Sequence, residues 1–145
     1  TCGSLMHSTV ATRPDIAHVV GVISNLMINP IRDHWEAIKS ILRYLKGTKG
    51  KCLCYGKAPL ELKVFFDSDM AGDEDTRKST SGYVYILASG AISWCSRLQR
   101  IVTLFTTEPE YISATDTSKE AIWLAHLCSE FGMPEKAPIL GCDSP

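Results

Sequence analysis

The hydrophobic period changes near residue 60, and that change constrains the fold more than any single motif. Before it, apolar residues recur every three to four positions. Ile16, Val19, Val20, Ile23 and Met27 follow i, i+3, i+4, i+7 spacing, which predicts a helix over 12–29. Thr12-Arg-Pro-Asp15 reads as a capping-box variant at its start, with Pro14 tolerated in the first turn, and Asn29-Pro30 ends it. Trp35, Ile38, Leu42 and Leu45 predict a second helix over 31–46, closed by Gly47, so the pair makes an αα-hairpin. Beyond residue 60 the pattern is that of strands. Leu62-Lys-Val-Phe-Phe66 is one and Gly82–Ala88 a second, followed by a tight turn at Ser89-Gly90. Ala91–Cys95 and Ile101–Phe105 read as a third strand with an irregular middle, giving an antiparallel meander. A long helix is predicted from Thr107 to about Phe131. Tyr111, Ala114, Thr115, Ser118, Ile122 and Ala125 lie along one side, and Trp123, Leu127 and Cys128 widen the apolar face. Ile139-Leu-Gly-Cys142 is a last short strand. The expected class is α/β (α+β), a mixed sheet with a long helix, preceded by the hairpin. The composition shift between Gly50 and Pro59 divides the chain into 1–58 and 59–145.

Composition excludes several classes. With 45% hydrophobic residues in 145, the chain has enough apolar surface for a core and is not of disordered type. Its longest apolar stretch, around 19–28, is broken by Gly21, Ser24 and Asn25, so no membrane span is expected. No secretory signal is visible at Thr1-Cys2-Gly3-Ser4, and the missing initiator Met suggests a piece of something longer. The six cysteines form no C-x-x-C pair and read as reduced intracellular thiols, so a cytoplasmic or nuclear location is expected. Net charge is −1, but residues 1–60 hold eight of the 15 bases against three of the 16 acids. A basic first part suits a phosphate backbone, and Lys39, Arg43 and Lys46 form a stripe along the second helix that can follow one. An acidic second part suits cations.

The acids stand at informative places. Asp67 ends the first strand, with Asp69, Asp73, Glu74 and Asp75 after it. Glu110 lies in the first turn of the long helix, and Asp143 follows the last strand. If the last strand lies beside the first, Asp67, Glu110 and Asp143 meet at one sheet edge. Such a cluster ionises fully only with divalent cations to compensate it, and Mg²⁺ prefers an oxygen shell of this kind.

With these residues in view, the chain resembles the carboxy-terminal part of a copia-type retrotransposon Pol polyprotein. The resemblance spans the end of the reverse transcriptase and its ribonuclease H domain. In the first part it rests on Gly3-Ser-Leu-Met6, Ala11-Thr-Arg-Pro-Asp-Ile-Ala17, His34-Trp35 and Ile41-Leu-Arg-Tyr-Leu-Lys-Gly-Thr48. In the second it rests on Asp67-Ser-Asp69, Ala71-Gly-Asp73, Arg77-Lys-Ser-Thr-Ser-Gly-Tyr83, Ile92-Ser-Trp94, Thr106-Thr-Glu-Pro-Glu-Tyr111 and Cys142-Asp-Ser144. The resemblance implies a ribonuclease H-like domain over 59–145 and thumb or connection helices over 1–58. It implies Asp67, Glu110 and Asp143 as catalytic, metal-binding acids for two Mg²⁺ ions. The implied substrate is an RNA–DNA hybrid, and the implied partner is the remainder of the polyprotein. The family continues past Asp-Ser into another helix and a fourth acid. It usually carries Gln at the position of Pro145, Trp at Met70 and Ala at Pro109. Residues 1–145 alone are therefore expected to bind Mg²⁺ weakly and to hydrolyse little.

Each assignment has a plainer counterpart. Glu110 also fits a capping box with Thr107, and Asp143 a strand-end turn. Asp69 and Asp73 read as a solvated loop rather than extra ligands. Arg77 and Lys78 suit a phosphate backbone or an exposed turn equally. Trp35, Trp94 and Trp123 read as core, and His18, His34 and His126 as structural. Stretches of this copia region also resemble secreted RxLR-type effectors. A non-catalytic, domesticated or effector-type interaction protein is therefore the alternative, although the nearest string here, Arg97-Leu-Gln-Arg100, has the wrong spacing.

Overall fold

The computed structural model describes residues 2–27, 32–56, 58–73, 75–133 and 138–142. They divide into two compact units, Thr1–Leu53 and Cys54–Pro145.

The first unit is helical: α1 (Cys2–Ala11), a 3₁₀ turn (Pro14–Ile16), α2 (Ala17–Leu26) and α3 (Arg32–Gly47). Leu5, Ile16, Val20, Ile23, Ile38 and Ile41 form its core. Three sequence expectations are corrected. Helix α1 was not foreseen, because Gly3, Ser4, Ser8 and Thr9 dilute its apolar face, yet it buries Leu5 and Thr9. The predicted helix over 12–29 is shorter, since the chain first makes the 3₁₀ turn. Its capping box does not form, because no side chain caps the turn. Finally, α3 buries Ile38 and Ile41, whereas Trp35 is 51% and Leu42 41% exposed. The buried stripe is thus displaced around the helix from the one the spacing suggested. The Asn29-Pro30 stop lies outside the described residues.

Asp15, expected as a cap, ties the turn to α3 instead. Arg13 donates two hydrogen bonds to its carboxylate, at 2.9 and 2.7 Å, and a third to the Thr48 hydroxyl at 2.7 Å. The Tyr44 hydroxyl donates to the same carboxylate at 2.8 Å, and the guanidinium lies over the Tyr44 ring. The Arg13 hydrogen bonds, helped by Tyr44, lower the Asp15 pKa from its ordinary value near 4 to about 2. A carboxylate with a depressed folded-state pKa stabilises above its unfolded pKa, and that stabilisation is lost as pH falls through the folded value. Unit one is therefore expected to weaken between about pH 4 and pH 2. Asp15→Asn should flatten that dependence in denaturant titrations followed by Trp35 fluorescence. An unchanged slope would show that the cluster is not coupled to folding.

The second unit is a four-stranded sheet in the order β3-β2-β1-β4, covered by one helix. The strands are β1 (Lys63–Asp69), β2 (Thr80–Leu87), β3 (Gly90–Leu98) and β4 (Ile139–Cys142), with α4 (Thr107–Glu130) between the last two. β1–β2 and β2–β3 are antiparallel, and β4 runs parallel to β1. The mixed sheet and long helix are as the sequence predicts, but three details differ. The hairpin turn is Ala88-Ser89, both at positive φ, since Gly90 already pairs with Leu87. The third strand runs unbroken to Leu98, and residues 101–105 form a loop rather than strand.

Helix α4 also turns a different face inward. It buries Pro109, Ser113, Thr117, Ala121 and Leu124, while Tyr111, Ile122 and Trp123 are 75%, 61% and 57% exposed. Small residues spaced by four let the helix sit close on the sheet, so proximity outweighs side-chain bulk in choosing the face. Of the three tryptophans expected in the core, Trp35 and Trp123 are exposed and Trp94 is half-buried.

Candidate active site at the end of the first strand

The sheet gathers several chain segments at one end. Asp69 of β1 pairs with Thr80 of β2, and Thr80 with Leu98 of β3. In the parallel pair, Phe66 stands opposite Cys142. The end of β1, the start of β2 and the ends of β3 and β4 therefore share an edge. The first turns of α4 join them, because the Ser113 hydroxyl donates to the backbone carbonyl of Asp67 at 3.0 Å.

Side chains alternate along β1, so Val64 points into the core while Asp67 and Asp69 are exposed. The Asp67 carboxylate accepts the Ser68 backbone N–H at 2.7 Å. Glu110 is half-buried and lies one turn before Ser113 on the same side of α4. The N-cap is Thr106, whose side chain makes no capping bond. Glu108 supplies the local acceptor instead, taking the Leu104 and Phe105 N–H groups at 2.7 and 3.4 Å.

Through the Ser113 bond the backbone of Asp67 touches α4 one turn from Glu110, while the Asp67 side chain is exposed. Asp143 and Glu74 lie outside the described residues. Among the described residues, no three His, Cys, Asp or Glu side chains are grouped to hold a metal ion. Carboxylate oxygens at an exposed strand end are the hard donors that Mg²⁺ takes, with water completing its shell.

Asp73 serves its own turn. Its carboxylate accepts the Thr76 hydroxyl at 2.5 Å and the Asp75 N–H at 3.2 Å. The Thr76 bond lowers its pKa. Backbone bonds Arg77 N to Asp73 O (2.8 Å) and Asp73 N to Lys78 O (3.2 Å) close the loop, with Arg77 at φ +57°. Arg77 is exposed and Lys78 half-buried. In the first unit, Arg43 and Lys46 are exposed on α3, and Lys39 pairs with Glu36 at 2.5 Å.

A buried polar network was missed by reading the core as apolar. Ser79, Ser81, Gln99, Thr103, Ser113 and Thr117 are all buried. Ser79 accepts the Ala71 N–H at 3.1 Å and lies 3.3 Å from the Thr103 hydroxyl, and its carbonyl accepts the Gln99 N–H at 2.8 Å. The Gln99 amide nitrogen donates to the Ser81 hydroxyl at 2.7 Å and the Pro109 carbonyl at 3.0 Å. The available signals were the Ser-Thr-Ser alternation at 79–81 and the four-residue spacing of 109, 113, 117 and 121.

Sequence comparison places the chain among proteins of retrotransposon origin. More narrowly, it is homologous to a segment of the Pol polyproteins of copia-type retrotransposons. It is 56% identical over 142 residues to the retrovirus-related Pol polyprotein from transposon TNT 1-94 of Nicotiana tabacum, matching 98% of this chain and 11% of that protein. It is 40% identical over 144 residues to the Pol polyprotein from transposon RE2 of Arabidopsis thaliana, again 98% of this chain and 10% of that one. The chain thus spans about a tenth of these polyproteins. It is also 43% identical over 123 residues to a protein named secreted RxLR effector protein 161 of Plasmopara viticola, covering 84% of this chain and 87% of the relative. No family model and no solved structure matches. Among the described residues, no helix is long and apolar enough to cross a membrane.

Proposed function

We propose that the second unit is a ribonuclease H-type nuclease domain that hydrolyses the RNA strand of RNA–DNA hybrids within a Pol polyprotein. The observation that carries this reading is the junction of Asp67 and α4. A carboxylate stands two residues before the end of an inner strand of a 3-2-1-4 sheet, and the same residue's carbonyl is tied to the helix one turn from Glu110. Asp67, Glu110 and Asp143 would hold Mg²⁺, two ions in the family arrangement, supplying an activated water and charge neutralisation at the leaving 3′ oxygen. The chain's own part is to hold these oxygens in fixed positions. Asp67 does so through its strand backbone, and Glu110 through the buried face of α4. Lys39, Arg43 and Lys46, with Arg77 and Lys78, would contact the phosphate backbone, making binding salt-dependent. The first unit would be the thumb or connection of the reverse transcriptase, and the site of action the cytoplasm or nucleus.

The test is strand-resolved cleavage of an RNA–DNA hybrid, beside RNA and DNA duplexes, with Mg²⁺ and with EDTA. It uses residues 1–145 alone and residues 1–145 extended by the helix and fourth acid that follow in a copia-type polyprotein. The extended chain should cut only the RNA of the hybrid, and only with Mg²⁺. Residues 1–145 should cut weakly, because β4 is a four-residue strand at the sheet edge and such elements fray.

The Plasmopara viticola relative motivates a second reading, a non-catalytic effector-type interaction protein. An extended chain that folds, binds no hybrid and cuts nothing would favour it.

A further inference from the structure

We infer that Gln99 is a positioning residue that sets the first turn of α4, and with it Glu110, against the end of β1. The inference rests on the hydrolytic reading above. Gln99 stands just past β3 and is 5% exposed. Its backbone N–H donates to the Ser79 carbonyl at 2.8 Å, which fixes where the side chain starts. The side-chain nitrogen then bridges two elements, donating to Ser81 of β2 at 2.7 Å and to the Pro109 carbonyl of α4 at 3.0 Å. Pro109 is fully buried, and the next residue is Glu110. One turn further, Ser113 holds the Asp67 carbonyl at 3.0 Å. The start of the helix is therefore pinned twice, by Gln99 to the sheet's second strand and by Ser113 to its central strand.

The orientation of the amide follows from chemistry. A carbonyl only accepts, so the group facing Pro109 must be the NH₂. The opposite atom, Oε1, is buried without a hydrogen-bond partner among the described residues. A buried orphan acceptor is destabilising. The cost of that orphan is offset by the two buried bonds the amide donates, and those bonds are what the side chain supplies here. Those bonds act on the backbone next to Glu110. Misplacing a catalytic group by about 1 Å can cost on the order of 100-fold in rate, so a tether at this point governs turnover.

Gln99→Met tests the inference in the extended chain described above. It keeps the volume, removes the donor, and removes the orphan acceptor as well, so opposing effects on stability offset. We expect a thermal midpoint close to that of the wild type. We also expect kcat to fall about 10- to 100-fold, KM for the hybrid to be little changed, and the Mg²⁺ concentration for half-maximal rate to rise. Faster amide hydrogen exchange in the first two turns of α4, measured without metal or substrate, should accompany it. Gln99→Asn, one methylene too short to bridge both acceptors but still polar, should show the same pattern if the Met variant does not fold. Unchanged kcat, Mg²⁺ dependence and exchange in a folded variant would overturn the positioning role, as would a loss of stability with kcat intact. If the wild type itself does not cut, the hydrolytic reading fails. Exchange in α4 then decides by itself whether Gln99 sets the helix start.

Discussion

On the proposed hydrolytic reading, exchanging Asp67 for Asn in the extended chain is expected to lower kcat by at least about 100-fold while leaving the fold intact. The two halves of that expectation have separate physical origins. Asp67 is exposed, and Asn preserves both its size and the Oδ1 acceptor that takes the Ser68 N–H. A surface substitution of this kind changes stability by roughly 0.5 kcal/mol or less. What Asn removes is the negative charge. A neutral amide oxygen is a weak ligand for Mg²⁺ and cannot balance two cations, so in the proposed site the ions would be neither held nor placed. The paired control is Asp73→Asn. The Asp73 carboxylate is engaged by Thr76 and Asp75 in its own turn, so its loss should loosen that loop and leave cleavage within about twofold. The two variants are compared by single-turnover cleavage across a Mg²⁺ titration, with thermal melts alongside. Equal effects of the two substitutions would remove Asp67 from the site.

How much of this was legible in the sequence depends on which interaction chose each feature. The period change near residue 60, the long helix from Thr107 and the strand at Ile139 are set by apolar patterning, and they are where the pattern puts them. The buried face of α4 was misread because Tyr111, Ile122 and Trp123 are larger than Ser113, Thr117 and Ala121. Close approach to the sheet selects small residues, and their hydroxyls find backbone acceptors or remain buried. The strand expected at 101–105 failed for a related reason. Ile101, Val102, Leu104 and Phe105 have strand-like composition, but β2 has no partner positions left beyond Thr80, whose mate is Leu98. Gln99 then turns the chain toward the helix. In the first unit, Thr12-Arg-Pro-Asp15 has the spacing of a cap, yet Asp15 is taken instead by Arg13, two residues away, and by Tyr44 across the tertiary fold. The elements that carry Asp67 and Glu110 could be placed from the order of elements alone. The buried polar network at the start of α4 could not, because nothing local distinguishes a buried Ser or Gln from a solvated one.

Tyr85→Ala is the substitution expected to destabilise the second unit most, by about 3–5 kcal/mol. Tyr85 is fully buried among Leu62, Val64, Ala121 and Leu124, and meets Tyr83 edge-on with ring centroids 5.5 Å apart. Its hydroxyl donates to the Thr117 carbonyl at 2.5 Å, joining the middle of β2 to the middle of α4. Truncation leaves a ring-sized cavity between sheet and helix, and the small residues of that helix face cannot fill it. Against a total of about 5–15 kcal/mol for a domain of ordinary stability, that is a large share. Tyr85→Phe separates the contributions, since it keeps the ring and should cost only about 1 kcal/mol for the lost hydrogen bond. Denaturant titrations followed by backbone NMR resolve the two units. The expected result is an early transition of the second unit, with signals from Leu5, Val20 and Ile38 unmoved. A loss for Phe as great as that for Ala would mean that the hydroxyl, and not the packed ring, holds α4 to the sheet. Because the same helix carries Glu110, cleavage should fall with the fold in Tyr85→Ala and fall without it in Asp67→Asn. That contrast separates the scaffold's contribution from the chemistry it positions.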